Sequence, residues 1–218
     1  MSKAALKIIT IPTAPIEENC YLCYDAGTKE ALVIDPGNEA EKILSAISEH
    51  DLKVQAILLT HGHWDHIGAV EAVRKALGVR VCIHEDDAAM LTDKRQNLFA
   101  FMETHHQFAA GAADVLLHEG DKVSCGSIEF QVIHTPGHTP GGACYYAPTA
   151  GVLFSGDSLF AEEIGRCDFP GGSLTALVSS LKQKIITLPE ETKVYPGHGP
   201  ASDVGWERRH NPYVGIGS

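Results

Sequence analysis

A mixed α/β fold, with two sheets packed face to face and helices outside, is predicted by three observations. Short apolar runs of strand character alternate with stretches of helical spacing in both halves of the chain. Four of the apolar runs end in small-residue turns that carry histidine or aspartate. No linker rich in proline, glycine or serine, no low-complexity segment and no repeat interrupts the 218 residues, so a single domain over 1–218 is expected.

The elements follow in order. Apolar runs at 6–11, 20–24 and 31–34 read as strands, the third closed by the turn residues Asp35-Pro36-Gly37. Ile43, Leu44 and Ile47 recur at helical spacing and place a helix over about 40–50. A strand follows at 54–59, then a helix over 67–77 ended by Gly78. A strand at 79–83 and a short helix near 85–92 come next. Residues 93–114 are polar and irregular, with Phe99, Phe101 and Phe108 spaced through them. With His105 and His106 they form a candidate cover for a pocket; an ordinary surface loop is the competing reading. Strands return at 122–125, 128–133, 142–146 and 152–154. Ser173 is placed to cap a helix running to about 187, 193–195 is a last strand, and a short helix follows Ser202.

Composition excludes several classes. At 44% hydrophobic and 21% charged residues the chain has a globular balance rather than a disordered one. Its net charge of −11, from 28 acidic against 17 basic side chains, repels phosphate backbones and anionic lipid. Neither nucleic acid nor a membrane is expected as a partner. No apolar run approaches the ~20 residues of a membrane helix. Lys7 interrupts the N-terminus before a leader-length apolar stretch forms, so the expected address is the cytoplasm. Oligomeric state is not legible. Six cysteines are scattered along the chain, and only Cys20 and Cys23 form a CxxC. That pair lies in a β-prone run, where positions i and i+3 face opposite ways, so the thiols are expected to be separate, reduced and buried.

The strongest signal is His61-Gly62-His63-Trp64-Asp65-His66, three histidines and an aspartate within six residues after a strand. Neutral imidazole and carboxylate suit Zn²⁺, Fe or Mn. His61 and His63 can face one ion, while Asp65 and His66, further round the loop, can reach a second. Three more strand-like runs end in Pro136-Gly137-His138, Gly156-Asp157 and Pro196-Gly197-His198. Each alone is weak, since a loop histidine or a turn aspartate is ordinary. Their shared place at strand ends makes His138, Asp157 and His198 candidate ligands. His134, at the end of its strand, is the rival to His138 and is read either as structural or as supporting a ligand from behind.

The combination HxHxDH, Gly-His-Thr, Gly-Asp-Ser and Pro-Gly-His resembles the metallo-β-lactamase superfamily. The resemblance implies an αββα sandwich with two divalent metal ions, zinc first, iron or manganese second. It implies that His61, His63 and His138 bind one ion, that Asp65, His66 and His198 bind the other, and that Asp157 bridges them. Ile164-Gly165-Arg166-Cys167-Asp168-Phe169-Pro170-Gly171-Gly172 and the ending His210-Asn211-Pro212-Tyr213 resemble short, single-domain relatives of glyoxalase II, the hydroxyacylglutathione hydrolase. Only residues 199–218 follow His198, so the helical domain of the longer enzymes is expected to be absent, and their Lys-Phe-Tyr glutathione pattern does not follow Asp157.

The function implied is hydrolysis of a small-molecule thioester such as lactoylglutathione, by metal-bound hydroxide attack with Asp65 helping to hold or take the proton. Arg166 is a candidate for a substrate carboxylate; pairing with Asp168 to shape the loop is the competing role. Other readings are a mononuclear iron persulfide dioxygenase, a lactonase or phosphodiesterase, and a non-catalytic metal-binding domain. The Gly199-Pro200 after His198 favours hydrolysis over the dioxygenase.

Overall fold

The computed structural model describes residues 6–102 and 110–216. The first sheet is built from β1 (Leu6–Thr13), β2 (Glu18–Asp25), β3 (Glu30–Ile34), β4 (Lys53–Leu58), β5 (Arg80–His84) and β6 (Val115–Leu117), lying side by side in chain order. β1 to β3 pair antiparallel, and β3 to β6 run parallel. Parallel neighbours need crossovers. α1 (Ala40–Glu49) supplies the first, and α2 (Trp64–Ile67) with α3 (Val70–Leu77) supply the second.

The second sheet holds β7 (Lys122–Cys125), β8 (Ile128–His134), β9 (Ala143–Ala147), β10 (Val152–Gly156), β13 (Lys193–Pro196) and β14 (Ser202–Asp203), in the order β14-β13-β10-β9-β8-β7. A small ribbon, β11 (Leu159–Phe160) with β12 (Glu163–Ile164), stands apart. α4 (Leu174–Ser180), continued as one wider turn over Leu181–Ile185, and α5 (Val204–His210) cover its outer face.

Three apolar clusters show the layering. Tyr21, Leu32, Ile34 and Leu58 of the first sheet meet Phe130, Val132, Tyr145 and Phe154 of the second. The other face of the first sheet, with Leu22, Val33, Ile57 and Val81, packs on Ile43, Ile47, Val70 and Val73 of the helices. Ile133, Cys144, Leu153 and Val194 of the second sheet pack on Leu177, Leu181 and Val204. The order is helix, sheet, sheet, helix. Because both faces of each sheet are covered, the central strands read as continuous apolar runs rather than alternating ones. Cys20 lies in the helix-side cluster and Cys23 in the inter-sheet cluster, so the CxxC thiols are on opposite faces.

The helix expected over 67–77 is α3, which begins at Val70, and the separate short α2 precedes it. The Ala69 amide donates to the Pro36 carbonyl at 3.0 Å instead of continuing the helical ladder, and Gly68 packs on the Gly37 main chain. Gly78 ends α3 with φ 67°, a left-handed conformation that glycine adopts without Cβ strain. Ser173 caps α4, its hydroxyl accepting from the Ala176 amide. The short helix expected near 85–92 is a 3₁₀ turn over Glu85–Leu91. In the 93–114 stretch Phe99 and Phe101 sit on a short 3₁₀ turn, whereas His105, His106 and Phe108 lie outside the described residues. Among the described residues no helix is long and apolar enough to cross a membrane.

Candidate metal centre

Four strands point their C-terminal ends at one edge of the sandwich. β10 and β13 are parallel, and β8 is antiparallel to β9, which is antiparallel to β10, so β8, β10 and β13 share a direction. β4 reaches the same edge from the other sheet, where the Ala143 amide donates to the Thr60 carbonyl at 2.8 Å. The loops after these four strands bring all seven candidate ligands together. His61, His63 and His138 form one group in which the ligating atoms lie within 4.8 Å of one another. Asp65, His66 and His198 form another, and Asp157 groups with His61 and His66.

The distances are short throughout. His63 Nδ1 and His138 Nε2 are 2.9 Å apart. Asp157 Oδ1 lies 3.3 Å from His66 Nε2, and its Oδ2 lies 3.6 Å from His138 Nε2 and 3.8 Å from His198 Nε2. His198 Nε2 is 3.1 Å from Asp65 Oδ2. His61 Nε2, His66 Nε2 and Asp157 Oδ1 are buried with no hydrogen-bond partner. Buried polar atoms ordinarily find partners, and converging orphan lone pairs on imidazole and carboxylate are the donor set of a divalent metal centre. The residues therefore fit two metal ions.

Outer contacts fix which ring nitrogen faces inward. Asp35, at the end of β3, accepts from the Thr60 amide at 2.7 Å, the Thr60 hydroxyl at 2.6 Å and His66 Nδ1 at 3.0 Å. Thr60 Oγ1 in turn lies 3.2 Å from His61 Nδ1. Both contacts leave Nε2 as the inward atom. His138 Nδ1 donates to the Arg166 carbonyl at 2.7 Å, which likewise leaves its Nε2. A side chain at Gly197 would run into Asp157 Oδ1 and the His66 ring, so the absence of a Cβ permits the close approach.

Electrostatics divide the cluster. Burial, reinforced by neighbouring histidines, holds His61 well below the ordinary imidazole value and His63 down at about 3, which keeps both in the neutral, ligating form. Burial acts in the same direction on His66 and His198, but carboxylates win. Asp157 and Asp65 raise His66, and the hydrogen bond that His198 Nε2 donates to Asp65, with the charge of Asp157, raises His198. Burial opposes ionisation of Asp157, yet His66 holds its carboxyl well below the usual range.

Two further acids stand close by, and sequence reasoning missed them along with Asp35. Glu18, buried at the start of β2, takes the Thr13 hydroxyl at 2.9 Å on one oxygen. Its other oxygen is unpartnered, 3.9 Å from His66 Nδ1. Burial raises its pKa well above the usual carboxyl value. Asp87 is fully buried between the His61–His63 loop and the His138 loop. No local signal marks Asp35 or Asp87, because the groups that define them, Thr60 and His66 for one and Gly62 and Gly141 for the other, lie far away along the chain.

Arg166 is placed on the surface, its fork closed on Asp168 at 3.0 and 2.8 Å and its guanidinium 4.4 Å over the Phe169 ring. The loop-shaping pair with Asp168 is the arrangement adopted in the structure. Phe169 lies edge-on to His63 at 5.4 Å and to His138 at 6.0 Å, so it flanks the ligand cluster. His134, with His84 and Asp86, also lies within metal-ligand reach. Its ring, however, stacks on His84 at 3.9 Å and 16°, so the in-plane lone pairs run nearly parallel and do not converge, and its Nε2 donates to the Pro140 carbonyl at 2.9 Å.

Comparison with known proteins places this geometry. The family model described as Metallo-beta-lactamase superfamily matches residues 14–198. The probable metallo-hydrolase YqgX of Bacillus subtilis (strain 168) is 38% identical, over 94% of this chain and 95% of that protein. The hydroxyacylglutathione hydrolase GloC of Haemophilus influenzae is 34% identical, over 96% and 98%. Among solved structures, the B3 metallo-beta-lactamase BLEG-1 superposes with TM-score 0.90 at 42% identity, over 95% of this chain and 99% of that one. TTHA1623 in a di-iron-bound form gives 0.82 at 38%, over 94% and 100%. ETHE1 from Myxococcus xanthus gives 0.81 at 31%, over 97% and 86%.

Proposed function

This chain belongs to the metallo-beta-lactamase superfamily, and from that premise we propose that it is a metal-dependent hydrolase cleaving glutathione thioesters such as lactoylglutathione. The observation that carries the hydrolase reading is the set of converging, unpartnered lone pairs at His61 Nε2, His66 Nε2 and Asp157 Oδ1. The thioester reading is supported by the likeness to GloC, which extends over 98% of that protein, and by the Gly165–Gly172 segment.

His61, His63 and His138 would hold one ion and Asp65, His66 and His198 the other, with Asp157 between them. The first expectation for the metal is zinc; the di-iron form of TTHA1623 makes iron the second. Two such ions supply Lewis acidity toward a carbonyl oxygen and lower the pKa of water. The chain itself contributes orientation and proton handling. Asp35, through Thr60 and directly, aims His61 and His66. The Arg166 carbonyl aims His138. Asp65, ionised and at the opening of the site, is the group that holds or takes a proton.

The test follows loss of thioester absorbance from S-lactoylglutathione with zinc-loaded protein, beside a His63→Ala control. The expected result is turnover in the first and none above background in the second. A panel of lactone, phosphodiester, persulfide and β-lactam substrates runs alongside. Cleavage of one of these with no thioester hydrolysis would overturn the substrate assignment and leave the metal centre standing.

A further inference from the structure

The 3₁₀ turn over Glu85–Leu91 holds none of the seven candidate ligands, yet it sits between the segments that carry His61, His63 and His138. Asp87 on that turn has no exposed surface. Its Oδ2 accepts from the Gly62 amide at 3.1 Å and from the Thr139 hydroxyl at 2.7 Å, and its Oδ1 accepts from the Gly141 amide at 2.6 Å. Gly62 separates His61 from His63, and Thr139 follows His138. One carboxylate therefore clasps both loops of the His61–His63–His138 group. The two loops come from different sheets, one after β4 and one after β8, so nothing local in either strand sets their separation.

The fit leaves no slack. A Cβ on Gly62 would stand 2.5 Å from Met90 Cβ, and a Cβ on Gly141 would stand 2.5 Å from the Asp87 nitrogen. Both loops rest directly on the turn. All three groups facing the carboxylate are donors, and a carboxylate is the side-chain group that offers only acceptors. An amide in its place would turn N–H toward N–H or O–H at one of the three contacts.

We propose that Asp87 is a positioning residue that sets the separation of the two loops and so the convergence of His61, His63 and His138 on one ion. The proposal rests on the metallohydrolase reading. It concerns one half of the centre only. Asp87 makes no hydrogen bond to His66, Asp65 or His198.

The experiment measures Zn²⁺ affinity by competition with a chromophoric chelator, in two backgrounds. His198→Ala disables the Asp65–His66–His198 half, and His63→Ala disables the other. In the His198→Ala background, Asp87→Asn is expected to weaken zinc about 10- to 100-fold, the usual effect of losing an outer-shell contact. In the His63→Ala background it is expected to change affinity less than about threefold. In the otherwise native protein kcat should fall with KM nearly constant, because Asp87 touches no substrate. Thr139→Val removes one of the three donors, leaves Asp87 and both amide contacts in place, and should reproduce a smaller loss in the first background only. It carries the test if Asp87→Asn does not fold.

Equal weakening in both backgrounds would assign Asp87 to general stability and overturn the proposal. So would unchanged affinity in the His198→Ala background. A native protein that binds zinc while Asp87→Asn has no effect sinks this inference alone; a native protein that binds no zinc or iron sinks the metallohydrolase reading as well.

Discussion

His138 reaches Arg166 through the main chain and not through the side chain: Nδ1 of the imidazole donates to the Arg166 carbonyl at 2.7 Å, while the guanidinium turns outward to Asp168. The contact that aims His138 therefore survives any substitution at 166 that keeps the backbone. The exposed Arg166–Asp168 pair is strongly screened. Arg166→Ala is expected to keep full metal content and to change kcat/KM for a thioester less than about threefold, the scale of an exposed pair. A tenfold or larger rise in KM alone would return the side chain to substrate binding.

The candidate ligand loops could be read from the sequence because they share a simple local grammar, an apolar strand, a small-residue turn and then an imidazole or carboxylate. Asp35 could not be read that way. In Asp35-Pro36-Gly37 it looks like an ordinary turn residue, and its partners Thr60 and His66 lie 25 and 31 positions away. Asp87 is similar, with Gly62 at 25 and Gly141 at 54 positions. Acids that orient ligands are defined by distant partners, and no local pattern encodes those.

Asp157 faces histidines of both halves, His66 at 3.3 Å on one oxygen and His138 and His198 at 3.6 and 3.8 Å on the other. Two cations held there would share this one carboxylate, and without it they would face each other with less neutralising charge. Asp157→Ala is expected to retain at most one zinc per chain and to lose turnover by several orders of magnitude. Elemental analysis after gel filtration, together with thioester kinetics, checks both at once. Two retained ions with near-normal turnover would show that Asp157 is not the bridge.

The layer order was legible because strand and helix periods alternate cleanly. The misses have physical causes. β11, β12 and β14 are two residues each and β6 is three, too short for any periodicity to register. The break at Gly68 and Ala69 depends on the Pro36 carbonyl, 33 positions from Ala69, drawing off a helical amide. The sequence displayed the Ser173 cap of α4 but not the wider turn over Leu181–Ile185 that continues it.

The far end of the sandwich supplies a test of stability that is independent of the metal centre. Asp25, the last residue of β2, accepts from the Ser127 hydroxyl at 2.5 Å and the Ser127 amide at 2.9 Å on one oxygen, and from the Gly27 amide at 2.8 Å on the other. Ser127 lies in the turn between β7 and β8, so this carboxylate ties one sheet to the other. The Ser127 hydroxyl, then the two amides, hold its pKa down at about 2. A carboxylate whose folded pKa is depressed contributes stability that is fully present above the unfolded value near 4 and lost as pH falls through the folded one. Asp25→Asn is therefore expected to cost about 1.5–3 kcal/mol at pH 7, the scale of hydrogen bonds to a charged group. The deficit relative to the native protein should shrink between pH 4 and pH 2. Urea unfolding of both proteins, metal-free throughout so that acid release of ions does not enter, measures it. A deficit that stays constant down to pH 2 would mean that the ionised carboxylate is not what joins β2 to the β7–β8 turn.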